Sequence, residues 1–285
     1  MPNNTVAALW QSGRQVLEAG YDKETAQREA RLLLQWLIPK EAGAFLLAGD
    51  FIISPEQIAW YHQALERRLA GEPLQYILGE QEFMSLPFTV NASVLIPRWD
   101  TEILVEACLS LLQGEKQPII LDMGTGSGAI AISLAFYLPK VVVLATDISA
   151  DALAVAEENA KKLGVSSRVS FFASDRLQNI APEEQYDLLV SNPPYLTETE
   201  MAQRTVDLQQ EPQLALYGGP DGLDFYRYLS ENAWRYIKPG GHLAMEIGFW
   251  QKDAVLDLLW KNGWQKAVCH QDYGGRNRAI IAQKA

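Results

Sequence analysis

Apolar positions repeat at two different periods along this chain, and the change from one to the other divides it. Through residue 70 the period is helical. In DKETAQREARLLLQWLIP, Ala26, Ala30, Leu33, Leu34 and Leu37 share one face, Asp22 stands where an N-cap is needed, and Pro39 stops the run. SPEQIAWYHQALERRLAG carries fuller end signals: Ser54 as cap, Pro55 at the first helical position, Gln57 completing a capping box, and Gly71 closing. GEPLQYILGEQEFMSLPFTVN (71–91) is rich in Gly, Pro and β-forming residues and predicts a hairpin between two domains.

From about residue 118 short apolar runs alternate with helical stretches. IILDM, VVVLATD, RVSFFASD, YDLLVSN and HLAMEIG read as strands, with AIAISLAFYL and ADALAVAEENAKKLG among the helices between them. Five such alternations predict a doubly wound α/β sheet with helices on both faces. WQKAVCHQDY and RAIIAQKA have only GGRN between them and predict an antiparallel pair. The expected organisation is a helical domain over 1–70, a hairpin linker over 71–92 and the α/β domain over 93–285.

Composition narrows the partners. With 48% hydrophobic residues, 285 residues are ample for a real core. No apolar run reaches a membrane span, since AGAFLLAGDFII is cut by Asp50, and MPNNTVAALWQSGRQ has no signal-peptide pattern. The two cysteines, Cys108 and Cys269, lie far apart, which suits a reducing cytoplasm and argues against a zinc site; the three histidines show no ligand spacing, so no metal is expected. The net charge of −11 lacks the cationic excess that nucleic-acid binders use. A protein or small-molecule partner fits better, and a monomer with no direct nucleic-acid contact is expected.

Two loops carry candidate chemistry. The first strand runs into DMGTGSGAIAISLA, where Gly124, Gly126 and Gly128 let the backbone approach a ligand and turn into a helix with a positive N-terminus. Asp147, about 20 residues on, ends the second strand, where a carboxylate accepts ribose hydroxyls. The second loop is VSNPPY. Pro193 and Pro194 cannot donate to a ladder, so they end the fourth strand as a stiff rim carrying an amide, carbonyls and the ring of Tyr195. In a doubly wound sheet that rim neighbours the glycine loop across the switch point.

The glycine loop, G-x-G-x-G with Asp122 ahead of it, resembles the S-adenosylmethionine site of the seven-stranded methyltransferases, in which Asp122 would help hold the ligand's ammonium. NPPY resembles the motif of enzymes that methylate exocyclic adenine nitrogen or glutamine side chains. GEPLQYILGEQEFMSLPFTVNASVLIPRWDTEILVE, DMGTGSGAIAISLA, VSNPPY, EPQLALYGGPDGLDFYR and KPGGHLAMEIG follow one another as in the HemK/PrmC family of release-factor glutamine N5-methyltransferases. The resemblance implies a Rossmann-like methyltransferase sheet, S-adenosylmethionine as cofactor with S-adenosylhomocysteine as product, and class 1 peptide release factors as substrate. It assigns cofactor contacts to Gly124, Thr125, Gly126, Ser127, Gly128, Asp147, Asp175, Arg176 and Asn192. Asn192, Pro193, Pro194 and Tyr195 would hold the glutamine, with Asn192, Pro193 and Tyr195 catalytic. The chain departs from the family in two places: Trp99 replaces the second proline of IPRPDTE, and Arg176 stands where an aromatic or apolar residue is common.

Arg98, Asp100 and Glu102 read equally well as functional or as salt-bridge residues, and Glu211-Pro212 and GGPDG as shaping a substrate mouth. Three rivals remain at this level. An adenine methyltransferase would need a basic recognition surface and an extruded base. A ribosomal-protein glutamine methyltransferase and a non-catalytic cofactor-binding module are the others.

Overall fold

The computed structural model describes residues 5–38, 53–183 and 185–285, which form two compact units. Pro39 and Asp50, a helix stop and a break in an apolar run by sequence, lie outside the described residues.

The first unit comprises the chain up to Gly79 together with Thr205–Gln210. Its helices are α1 (Val6–Leu17), α2 (Lys23–Leu37), α3 (Pro55–Leu69) and α4 (Leu74–Leu78). Asp22 accepts from the Glu24 and Thr25 amides, and Ser54 and Gln57 form the reciprocal capping box at the start of α3. Ala26, Ala30, Leu33 and Leu34 are fully buried against Leu17, Tyr61 and Leu65. Gly13 explains how α1 and α3 meet: a Cβ there would lie 1.9 Å from the Tyr61 hydroxyl. Leu74–Leu78 is a helical turn rather than hairpin. Pro73 starts it, Gly79 closes it in the left-handed region, and Leu74 and Ile77 fall on the buried face.

A buried ion cluster pins Thr205–Gln210 into this unit. Arg68 is 2% exposed; its Nε donates to Glu29 Oε2 at 2.6 Å and its two NH groups to Asp207 at 2.8 Å each. The guanidinium also lies 4.2 Å from the centre of the Tyr21 ring.

The second unit opens with the hairpin, β1 (Glu80–Phe83) and β2 (Leu86–Thr89). Its two turn residues, Met84 and Ser85, both have positive φ, as a type I′ turn demands, without the usual Asn-Gly. The turn is held from outside: Glu102 accepts from the Met84 amide at 2.7 Å and the Tyr137 hydroxyl donates to the Met84 carbonyl. Then follow α5 (Glu102–Leu111), β3 (Ile119–Met123), α6 (Ala129–Tyr137), β4 (Val142–Asp147), α7 (Ala150–Lys162), β5 (Val169–Ala173) and β6 (Tyr186–Ser191). After several short helices come β7 (Ile237–Glu246), β8 (Gln265–Gln271) and β9 (Asn277–Gln283).

Among the described residues seven strands form one sheet in the order β5-β4-β3-β6-β7-β9-β8. The first five pair in parallel, while β9 runs antiparallel to both β7 and β8. Alternation at period 2 feeds a core on each face: Ile120, Leu188 and Val190 join one, Leu121 and Leu189 the other. β7 starts at Ile237, earlier than HLAMEIG suggests, and absorbs the intervening residues through an irregular register with β6. No helix among the described residues is long and apolar enough to cross a membrane.

Candidate active site

Parallel pairing puts the ends of β3, β4, β5, β6 and β7 along one edge of the sheet, and a cavity of ≈ 830 Å³ opens there. Strand order reverses between β3 and β6, so the loops after them are neighbours. Gly124, Thr125, Gly126, Ser127, Asp147, Asp175, Arg176, Asn192, Pro193 and Pro194 all line this one cavity. Two expected residues do not. Gly128 caps α6, and a Cβ there would strike Ile132 at 2.6 Å. Tyr195 packs on the core and sends its hydroxyl to Glu246 Oε1 at 3.4 Å. The Tyr195 ring therefore anchors the rim rather than facing a ligand in the cavity.

The glycine loop is shaped for close approach. Gly124 and Gly126 have φ of 74° and 57°, and a Cβ on either would meet nothing within 4 Å. The protein leaves that space open, while the left-handed backbone keeps side chains out of it. Thr146 O accepts from the Gly124 and Thr125 amides, and Asp147 accepts from the Gly126 and Ser149 amides, both at 2.9 Å. A carboxylate has about four acceptor sites, so Asp147 keeps capacity for hydroxyls arriving in the cavity. Asn159, fully buried, ties the loop to the hairpin: its Nδ2 donates to Ser127 O and to Thr89 O, and its Oδ1 accepts from the Thr89 amide.

Beneath the loop lies Asp122, wholly buried. Thr125 Oγ1 donates to its Oδ2 at 2.7 Å, and its Oδ1 has no partner among the described residues. Burial pushes its carboxyl up to about 7, with the Thr125 hydroxyl pulling the other way. Asp122 does not line the cavity but is hydrogen-bonded to Thr125, which does. An unsatisfied buried carboxylate under this loop fits a ligand with a cationic group.

The prolines end β6 at Ser191, and the rim is clamped from behind. Gln251 Nε2 donates to Tyr195 O at 3.2 Å and to Gly222 O at 3.1 Å, and a Cβ on Gly218 would lie 2.6 Å from Tyr195 Cα. GGPDG therefore buttresses the rim. Asn192 Nδ2 donates to Thr101 Oγ1 at 3.2 Å, which leaves the amide oxygen as the acceptor available to a ligand. Arg98 pairs with Glu211, which also accepts from the Ile96 amide; Asp100 pairs with Arg278 at 2.8 Å. Those residues, with Glu102, hold the 93–102 segment in place.

The chain matches the PrmC N-terminal domain over residues 8–79 and the Methyltransferase small domain over 100–211. A relative from Moorella thermoacetica, a "Release factor glutamine methyltransferase", is 44% identical over 97% of both chains. The chain belongs to that family. A second member, from Bordetella pertussis and of the same name, is 43% identical over 88% of this chain and 92% of its own. A solved methyltransferase from Pyrococcus furiosus shares the fold at a TM-score of 0.52 and 18% identity, over 71% of this chain and 91% of its own.

The two departures from the family pattern have different settings. Trp99 is 73% exposed and off the cavity wall, so the change leaves the lining intact. Arg176 is on the wall with positive φ, its guanidinium 4.8 Å from the Phe225 ring centre and 4.9 Å from that of Tyr228. A planar cation held on aromatic faces presents a flat surface. Thr101, Asn159 and Glu246 were not expected from sequence. Glu246 alone left a signal there, as an acid ending a parallel strand in the manner of Asp147.

Proposed function

We propose that this chain transfers a methyl group from S-adenosylmethionine to the side-chain amide nitrogen (N5) of the glutamine in the Gly-Gly-Gln motif of class 1 peptide release factors. Asn192 and Pro193 on the wall of the same cavity as the glycine loop and Asp147 carry this reading. When bound, S-adenosylmethionine supplies an electrophilic methyl on a sulfonium. Gly124–Ser127 would present backbone to it, Asp147 would take the ribose, Asp175 and Arg176 would flank the adenine, and Asp122 would complement the ammonium from beneath the loop.

An amide nitrogen is a poor nucleophile, because its lone pair is delocalised; the ~18–20 kcal/mol barrier to amide rotation gives the scale. Asn192 Oδ1 and the Pro193 carbonyl each accept one N–H of the glutamine NH₂. The pair fixes the nitrogen and favours positive charge developing on it. Pro194 keeps the rim stiff and Tyr195 anchors it. The proton leaves after transfer, so no strong base is needed beside the nitrogen. The same reading places the protein in the cytoplasm, acting as a monomer without direct nucleic-acid contact; the net charge of −11 supports the last point.

Mass spectrometry of a class 1 release factor after incubation with this protein and S-adenosylmethionine tests it. One added CH₂ on the Gly-Gly-Gln glutamine is expected. No gain, from protein shown to bind the cofactor, would overturn the substrate.

Asp122 adds a pH-dependent prediction. Its folded carboxyl titrates near 7, whereas an unfolded aspartate titrates near ~4. Between those values the folded state holds the extra proton, so this group's contribution to stability falls as pH rises from about 4 to 7. Asp122→Asn should remove that loss and gain on the order of 2 kcal/mol at pH 8 relative to pH 5. It should also weaken cofactor binding about tenfold. Thermal unfolding at both pH values and calorimetry check this; a parallel pH dependence in variant and wild type would refute it.

A further inference from the structure

Glu246 ends β7, next to the strand that ends at Ser191, and is 2% exposed. Its Oε1 takes the Tyr195 hydroxyl at 3.4 Å, and its Oε2 has no hydrogen-bond partner among the described residues. The Thr101 hydroxyl, itself buried, stands near enough to favour the ionised carboxylate, at a separation or angle short of a direct hydrogen bond. Such contacts tighten when a catalytic site fills. Arg278, on the neighbouring strand, makes its ion pairs with Asp100 at 2.8 Å and Asp272 at 3.3 Å, both through one terminal nitrogen, and acts on Glu246 only as a nearby charge. A buried carboxylate without an ion pair is costly to keep, and glutamine methylation through Asn192 and Pro193 leaves it without a task.

Hydrogen-bond direction supplies one. Thr101 Oγ1 accepts from Asn192 Nδ2, so the one Thr101 proton points elsewhere, and the adjacent acceptor is Glu246. An ionised carboxylate only accepts. As that contact tightens, the carboxylate would hold the Thr101 proton toward itself, leaving Oγ1 as acceptor toward Asn192 and keeping Asn192 Nδ2 inward and Oδ1 toward the cavity. With the amide reversed, Asn192 would present N–H groups to an incoming NH₂, donor against donor. We propose that Glu246 is a positioning residue that, through Thr101, sets which end of the Asn192 amide meets the substrate, and with Tyr195 holds the rim in register.

This inference rests on the proposed glutamine methylation. Protonated Glu246 has an O–H of its own and no longer enforces the order. Burial, opposed by Thr101 and by the Arg278 charge, pushes the Glu246 carboxyl up to about 7; Asp100 and the hydroxyls of Tyr195 and Tyr226 are the other ionisable groups facing it. Activity should then fall as pH drops through neutrality.

The test uses the full chain and two readouts. In wild type, kcat for release-factor methylation should show an acid limb near pH 7. Glu246→Gln and Thr101→Val should each lower kcat about tenfold at pH 8 and flatten that limb, with cofactor affinity by calorimetry unchanged. The double variant should be no worse than either single one, and Thr101→Ser should recover most of the loss. The second readout needs no substrate: the Asn192 side-chain amide resonances should titrate near pH 7 in wild type and stay fixed in Thr101→Val. Should methylation itself be absent, the functional reading fails while this titration still decides the relay. A retained acid limb in Glu246→Gln, additive losses, or Asn192 resonances that ignore pH in wild type would each overturn it. Thr101→Val carries the kinetic test if Glu246→Gln does not fold.

Discussion

Replacing Asn192 by Ala should lower kcat for glutamine methylation by about 10²–10³-fold, the size of effect seen when one preorganised group facing developing charge is removed. The loss belongs in kcat because the Asn192 oxygen matters most as charge grows on the nitrogen. Cofactor affinity should fall much less than kcat, since the glycine loop and Asp147 follow other strands. The rim should survive, because its clamp runs through Gln251 and Gly222 rather than through the Asn192 side chain. Single-turnover rates and cofactor calorimetry on the variant separate these effects. A kcat within a few-fold of wild type would remove Asn192 from the chemistry and leave the Pro193 carbonyl as the surviving acceptor.

The largest stability effect is expected in the helical unit. Arg68→Ala should destabilise the helical unit by about 3–5 kcal/mol, because it leaves Glu29, 6% exposed, with only the exposed Arg28 guanidinium 4.0 Å away. Asp207 is more exposed and can rehydrate. The loss should resist added salt, as surface pairs do not. Urea unfolding of the full chain, followed by hydrogen exchange at the amides of the helical unit, measures it. Replacing Arg68 and Glu29 together by apolar residues should recover much of the loss, since the burial cost leaves with the charges. A loss below about 1 kcal/mol, the range of an exposed pair, would mean that the cluster is effectively solvated.

Elements whose signals are local are legible in the amino-acid sequence. Asp22, Ser54 and Gln57 act on amides within three residues, and β3 and β6 declare themselves by length and apolarity. The glycine loop, its acid and the proline pair likewise follow from conformational limits that belong to Gly and Pro alone. Leu74–Leu78 misleads because the stretch around it, 71–91, is rich in Gly, Pro and β-forming residues, while packing of Leu74 and Ile77 decides for a helical turn.

Tyr195 marks the limit of such local signals. Beyond two prolines no periodicity says which way a side chain faces, and the ring goes to the core and Glu246 instead of the cavity wall. The partners that give the site its order are remote in sequence: Thr101 and Asn192 are 91 residues apart, Arg98 and Glu211 113, Arg68 and Asp207 139. By itself the sequence determined the helices, the strand alternation, the cofactor-type loop and the NPPY rim, because each depends on contacts within a few residues. Only the tertiary structure decided how that rim is aimed, what buries Glu246 beside it, and which charges pay for their burial with a partner, because those depend on strands and loops that meet only when the sheet is assembled.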